Sequence, residues 1–109
     1  MSRAIHVYVT GRVQQVGYRQ NCRREARSLD LVGWVRNLSD GRVELFAQGE
    51  SEAIDHLVAW TWAGPSGAVV AGVESDNVAP NQTLTDFFIQ PNLIASDTAE
   101  SSGFGSLNP

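Results

Sequence analysis

The segment from Gly11 to Arg19, Gly-Arg-Val-Gln-Gln-Val-Gly-Tyr-Arg, joins a glycine-bracketed loop to an arginine in the first turn of a predicted helix. Such a junction gathers free backbone N–H groups and the positive end of the helix dipole, which together bind anions. Arg19 opposes that dipole by a few tenths to about 1 kcal/mol unless an anion lies between the two positive charges. Its planar guanidinium also matches two phosphate oxygens at once. A phosphate site and an ordinary surface arginine explain this pattern about equally well.

A second candidate is Asn37, at the end of the strand predicted over 32–37 and just before the turn residues Ser39, Asp40 and Gly41. Asparagine at such a position usually serves the turn itself. Its amide can also donate and accept hydrogen bonds without titrating, which suits it to hold a water molecule. Taken alone, Asn37 favours the turn role.

The hydrophobic pattern predicts the elements that position these residues. Period-two alternation predicts strands over 4–11, 32–37, 43–48, 68–74 and 83–90, with 76–82 as a polar connection. Helical periodicity predicts one helix from Tyr18 and another that begins after Ser51 as N-cap and ends at Gly64 and Pro65. Strands with one apolar face require both helices on that face. The predicted fold is a ferredoxin-like βαββαβ sandwich of the α/β (α+β) class, with a mostly antiparallel sheet and an extra C-terminal strand.

Charge is unevenly distributed along the 109 residues. The eight basic residues are all arginines within the first 42 residues, which hold only three carboxylates, and the rest of the chain holds nine carboxylates and no arginine or lysine. The crowding of arginines supports a local anion site. The net charge of −4 argues against nucleic acid as the main partner.

Several further features of the sequence restrict the possible compartment, partners and domain organisation. The single cysteine, Cys22, cannot form an internal disulfide, which predicts a reducing compartment, the cytoplasm. No apolar run approaches the roughly 18 residues of a membrane span, and no targeting segment is recognised, so no membrane partner is expected. His6 and His56 lack neighbours at ligand spacing, which predicts no metal site. We expect one domain over 1–91, a flexible tail over 92–109 that is rich in serine, glycine and asparagine, and a monomer.

The two candidate segments together resemble a known family. Gly11–Arg19 resembles the phosphate loop of acylphosphatases, Gly-(Arg/Lys)-Val-Gln-Gly-Val-x-(Phe/Tyr)-Arg. The second block of that family is similar to Leu31–Asn37 followed by Asp40–Glu44. Gln48–Gly49, Gly64–Pro65 and Phe88–Ile89 also fit, so that the likeness covers about Ala4 to Pro91.

The resemblance implies hydrolysis of the carboxyl–phosphate bond of a small-molecule acyl phosphate, without metal or cofactor. It implies that loop amides and the guanidinium of Arg19 bind the substrate phosphate, or inorganic phosphate, and that Asn37 orients the attacking water. The amides are the backbone N–H groups of Gln15, Val16, Gly17, Tyr18 and Arg19.

Two residues depart from the family pattern, because Gln15 and Asp30 stand where the family has glycine. A left-handed backbone at Gln15 would cost roughly 1–2 kcal/mol, and a distorted loop would bind phosphate less well. One alternative is therefore an acylphosphatase-like domain that binds an acyl or carbamoyl phosphate with little turnover. Another is an RNA-binding module, which would display aromatic residues such as Tyr8 and Phe46 on the open sheet face.

Overall fold

Seven elements follow one another in the predicted order in the computed structural model, which describes residues 1–95. They are β1 (Ser2–Arg12), α1 (Tyr18–Ser28), β2 (Val32–Asn37), β3 (Val43–Glu50), α2 (Ser51–Ala63), β4 (Val69–Asn77) and β5 (Phe87–Ile89). The strands form one sheet in the order β4-β1-β3-β2-β5. All neighbouring strands are antiparallel except β2 and β5, which are parallel. The predicted ferredoxin-like sandwich is thereby confirmed.

The core lies between one face of the sheet and the two helices. Ile5, Val7 and Val9 of β1 are fully buried, and His6 and Tyr8 between them are not, as period-two alternation requires. The helices cover the sheet with stripes at three- and four-residue spacing. The buried residues of these stripes are Tyr18, Cys22 and Ala26 on α1 and Ile54, Leu57 and Thr61 on α2.

Ser51 was predicted as the N-cap of the second helix, and this prediction is wrong by one residue. The helix begins at Ser51, and Glu50 occupies the cap position with an extended backbone and no side-chain cap. Ser51 is engaged with the chain start instead, because its N–H donates to the Met1 carbonyl at 2.7 Å. Its hydroxyl oxygen accepts a hydrogen bond from Nη1 of Arg3 at 3.2 Å.

The last two strands have different lengths from those predicted. β4 runs on through Asp76 and Asn77, placed above in a polar connection, because they pair with the start of β1. β5 is restricted to three residues, and the predicted first half of this strand is irregular. There the Asn81 carboxamide oxygen accepts hydrogen bonds from the N–H and the hydroxyl of Thr83, at 3.0 and 2.6 Å, and this local turn competes with strand geometry.

The chain that follows β5 returns to the sheet. Leu93 forms a parallel bridge with Leu38. The Leu93 N–H donates to the Asn37 carbonyl at 3.0 Å, and its carbonyl accepts from Ser39 N–H at 2.9 Å. Residues 92–95 of the expected tail are therefore described here, and residues 96–109 lie outside the described part. Among residues 1–95, no helix has both the length and the apolar character needed to cross a membrane.

Candidate active site

The loop over 13–17 leads from β1 directly into α1. Gly17 ends it in the left-handed conformation at φ 78°, which glycine adopts without a steric penalty. The Gly17 carbonyl accepts from the N–H of Asn21 at 3.1 Å and from its side-chain amide at 2.8 Å, which fixes the helix start. The backbone N–H groups of Gln15, Val16 and Gly17 donate to no acceptor within residues 1–95. Together with the first-turn amides of α1, they form a set of donors suited to an anion.

Gln15 adopts φ 63°, the left-handed region that a glycine would occupy at little cost. The loop thus keeps its turn with a glutamine at this position, at a cost of roughly 1–2 kcal/mol. Asp30 has a similar φ of 59° directly after α1. There the N–H of Asp30 donates to Arg27 and that of Leu31 to Ala26, so Asp30 occupies the left-handed position of a Schellman motif.

Gln14 ties the loop to the end of β2. Its Nε2 donates to the carbonyl oxygens of Leu38 at 2.8 Å and Arg42 at 2.9 Å. Sequence analysis did not single out Gln14, because a polar loop residue carries no periodic signal. This side chain places the phosphate loop beside Asn37.

Asn37 has a side chain that is 7% exposed, and its Oδ1 atom is buried without a hydrogen-bond partner in the described structure. A buried acceptor left without a donor costs about 1–3 kcal/mol. A water molecule or a bound ligand that donates to Oδ1 would remove this cost. The turn after β2 leaves this oxygen unused within residues 1–95.

A cleft of about 400 Å³ connects the loop, the start of α1 and the end of β2. The predicted site residues Gln15, Gly17, Tyr18, Arg19 and Asn37 line it. The side chain of Val16 instead packs against the hydrophobic core, so Val16 can contribute only through its backbone. Sequence analysis missed the remaining lining residues, which are Val13, Gln14, Gln20 and Ile89.

Tyr18 anchors the helix start to α2. Its hydroxyl donates to the Thr61 carbonyl at 2.8 Å, and its ring centroid lies 5.0 Å from that of Trp60. Burial, and to a lesser degree the neighbouring Cys22, raises the pKa of Tyr18. The phenol therefore remains protonated and serves as a structural donor.

Arg19 lies partly exposed in the first turn of α1. Its Nη1 donates to the side-chain oxygen of Asn92 at 3.0 Å. Sequence analysis assigned Asn92 to the tail. It could not predict this contact, because Arg19 and Asn92 are 73 residues apart in the chain.

A separate polar cluster lies on the open face of the sheet, away from the cleft. Glu44, only 3% exposed, accepts a hydrogen bond from Nε of Arg36 and lies 2.7 Å from Nε2 of His6. Arg36 also stacks on Trp34, 4.6 Å from the ring centroid. No group of three or more His, Cys, Asp or Glu side chains in the described chain could hold a metal ion.

Fold and site define the class of this protein as a small α/β sandwich with a loop of backbone amides, unpaired within the described chain, between its first strand and first helix. The sequence profile of the acylphosphatase family matches residues 5–89. The chain belongs to the acylphosphatase family, and its activity is that of an acylphosphatase, a hydrolase of small-molecule acyl phosphates.

Individual relatives agree with this membership. An acylphosphatase of Methylococcus capsulatus is 48% identical over 85 residues, which are 78% of this chain and 92% of the relative. An acylphosphatase of Pseudomonas paraeruginosa is 50% identical over 86 residues, 79% of this chain and 93% of the relative. The structure of an acylphosphatase from Coxiella burnetii superposes with a TM-score of 0.79 at 42% identity, covering 82% of this chain and 93% of that one. The resemblance predicted from the two sequence motifs is confirmed.

Proposed function

We propose that the chain hydrolyses acyl phosphates by holding the phosphoryl group in the loop and delivering a water molecule from Asn37. The loop amides of residues 15–19 and the guanidinium of Arg19 bind the phosphoryl oxygens, on which negative charge is concentrated during transfer. The observation that carries the proposal is the buried, unpartnered Oδ1 of Asn37, in the same cleft as Arg19. This oxygen accepts a hydrogen bond from the attacking water and fixes its position.

The reaction forms one bond and breaks another at phosphorus. The water oxygen bonds to phosphorus, the bond from phosphorus to the acyl oxygen breaks, and the carboxylate leaves with that electron pair. Among residues 1–95, those that line the cleft carry no carboxylate, imidazole or thiol. The proton of the water therefore passes to an oxygen of the phosphoryl group itself, and the products are the carboxylate and inorganic phosphate.

The leaving group needs little help from the protein. A carboxylate is a stable anion at neutral pH, so no acid has to protonate it as it departs. Positioning the water and neutralising the phosphoryl oxygens supply the acceleration. These tasks match what the cleft offers, namely amides, one guanidinium and one buried carboxamide.

A second candidate function is the binding of acyl phosphates with little turnover. It is favoured by one observation, the presence of a non-glycine residue, Gln15, in the lining of the cleft beside the loop amides. Measured turnover separates the two candidates, since both predict phosphate binding.

The experiment is an assay of the purified 109-residue protein with acetyl phosphate and benzoyl phosphate in the presence of a chelator. We expect equimolar release of carboxylate and inorganic phosphate, well above the spontaneous rate. Binding of inorganic phosphate is measured in parallel. Hydrolysis at no more than the spontaneous rate, with phosphate still bound, would assign the chain to the binding function.

The remaining expectations are part of the proposal. The protein acts as a monomer. It works in the cytoplasm, which the single cysteine supports. Inorganic phosphate is a ligand of the loop. Nucleic acid is not a partner. The net charge of −4 supports this, because proteins that bind the phosphate backbone usually carry a basic face.

A further inference from the structure

The guanidinium of Arg19 is held from one side only. Within residues 1–95, its hydrogen bond to Asn92 Oδ1 at 3.0 Å is the one polar contact that it makes. A guanidinium carries five N–H donors in a planar fork, so one bond to Asn92 leaves donors free for two phosphate oxygens. The contact can therefore persist while phosphate is bound.

Asn92 is itself fixed by the backbone on both sides. The N–H of Gln90 donates to the Val35 carbonyl at 2.9 Å, which continues the pairing with β2. The N–H of Leu93 donates to the carbonyl of Asn37 at 3.0 Å. The segment that supplies the acceptor for Arg19 thus also holds the main chain of Asn37, and it links the two functional residues.

We propose that Asn92 is a positioning residue that orients Arg19 for phosphate binding. Arginine is long and flexible, and a fixed acceptor restricts it to the orientations that face the cleft. The acceptor is neutral, so it orients the guanidinium without cancelling its charge. This inference rests on the proposed role of Arg19 in phosphate binding.

Two substitutions of Asn92 distinguish the role of its acceptor oxygen from the role of its neutral charge. Asn92→Ala removes the acceptor, whereas Asn92→Asp keeps an acceptor of the same shape and adds a negative charge beside Arg19. The charge competes with phosphate for the guanidinium. Both variants should therefore weaken phosphate binding, and the effect of Asn92→Asp should depend strongly on salt concentration, since salt screens exposed charges.

The chain offers a matched control in Asn77, whose side-chain oxygen accepts a hydrogen bond from Nε of Arg3 at 3.4 Å. This is also an exposed Arg–Asn contact between residues far apart in the chain, but it lies at the opposite end of β1 from the loop. Asn77→Ala should leave phosphate binding unchanged. The change in its melting temperature shows how much stability the loss of such a surface contact costs.

The experiment measures the Kd of inorganic phosphate, kcat and KM for acetyl phosphate, and the melting temperature of the full-length variants. We expect Asn92→Ala to raise the phosphate Kd and the KM by about three- to tenfold, the value of one hydrogen bond, with a smaller change in kcat. The melting temperature should match that of Asn77→Ala. In an Arg19→Ala background, Asn92→Ala should have no further effect on phosphate binding.

Either of two results would overturn the inference. One is an unchanged phosphate Kd in Asn92→Ala, and the other is an undiminished effect of Asn92→Ala when Arg19 is already absent. Two other results would count against the proposed function itself. In one, the wild-type protein binds phosphate but does not hydrolyse acetyl phosphate. In the other, the Arg19→Ala variant binds phosphate as tightly as the wild type.

Discussion

The side-chain amide of Gln14 donates to the carbonyl oxygen of Leu38 at 2.8 Å. Leu38 directly follows Asn37, so this bond joins the loop over 13–17 to the end of β2 that carries Asn37, the residue proposed to position the water. A second bond from the same amide to the Arg42 carbonyl secures the other side of the β2–β3 turn. One glutamine side chain thus bridges the loop and the β2–β3 turn, in addition to the strand pairing of β1, β3 and β2.

Gln14→Ala should reduce both stability and activity. Two carbonyls lose their side-chain donor, so the free energy of unfolding should fall by about 1–3 kcal/mol. The phosphate Kd should rise and kcat should fall, because loop and Asn37 shift relative to each other. Urea unfolding and acetyl phosphate kinetics measure these effects. Gln82→Ala, an exposed glutamine outside the cleft, is the control and should change neither.

Arg19→Ala should lower kcat/KM for acetyl phosphate by about 100-fold or more, since it removes a charge that stabilises the transferring phosphoryl group. Its stability should stay close to that of the wild type, because the side chain is partly exposed and its one hydrogen bond is on the surface. Arg24→Ala, on the solvent side of the same helix, is the matched control. Equal activity of the two variants would contradict the role of Arg19.

Asn37→Ala should separate turnover from binding. We expect kcat to fall by about 10- to 100-fold because the water loses its acceptor, with the phosphate Kd nearly unchanged. The free energy of unfolding should remain within about 1 kcal/mol, since the variant removes a buried oxygen that has no donor. Stopped assays measure kcat, phosphate titration measures the Kd, and urea unfolding measures the stability. A parallel loss of phosphate affinity would place Asn37 in the phosphate site instead.

Gln15→Gly should stabilise the protein by about 0.5–1 kcal/mol, because relief of left-handed strain exceeds the extra chain entropy of glycine. Asp30→Gly relieves the same kind of strain away from the cleft and should stabilise by a similar or smaller amount. Because both variants relieve strain but only Gln15 lines the cleft, comparing them separates an effect on stability from an effect on activity. Because the loop already has left-handed geometry, Gln15→Gly should change kcat/KM by less than about threefold. A much larger gain would mean that Gln15 distorts the site.

Glu44→Gln should alter the pH dependence of stability. Burial raises the pKa of Glu44, but the hydrogen bonds from His6 and Arg36 and the charge of Arg36 outweigh this and leave its pKa below the ordinary value of 4.5. The stabilisation is therefore complete above the unfolded-state pKa and is lost as the pH falls through the folded-state pKa.

At pH 7 the variant should be less stable by about 1–3 kcal/mol, the value of hydrogen bonds to a charged group. The difference from the wild type should shrink as the pH falls below about 4.5, because the wild-type carboxylate becomes protonated. Unfolding by urea across this pH range measures the difference. A constant difference at every pH would show that the charge of Glu44 is irrelevant to stability.

Local patterns predicted most of the fold and part of the site. Alternation in β1 and the stripe on α1 identified their buried faces because strand and helix periods are properties of neighbouring residues. Arg19 stood out because its charge opposes the dipole of the helix that it begins, and Asn37 because its segment resembles a family motif. The contacts of Gln14 and Asn92 could not be predicted, since they join residues 24 and 73 positions apart and depend on how loops pack. The length of β5 was mispredicted for a different, local reason, because the turn at Asn81 overrides strand propensity.

The parallel pairing of β5 with β2 also matters while the chain is being synthesised. Gly33 pairs with Phe87, so the outer edge of β2 has no partner until more than fifty further residues have been made. At typical translation speeds this takes about 3–10 s. Arg19 acquires its acceptor later still, when Asn92 emerges. The outer edge of β2 and the side chain of Arg19 therefore both depend for their partners on the part of the domain that is made last.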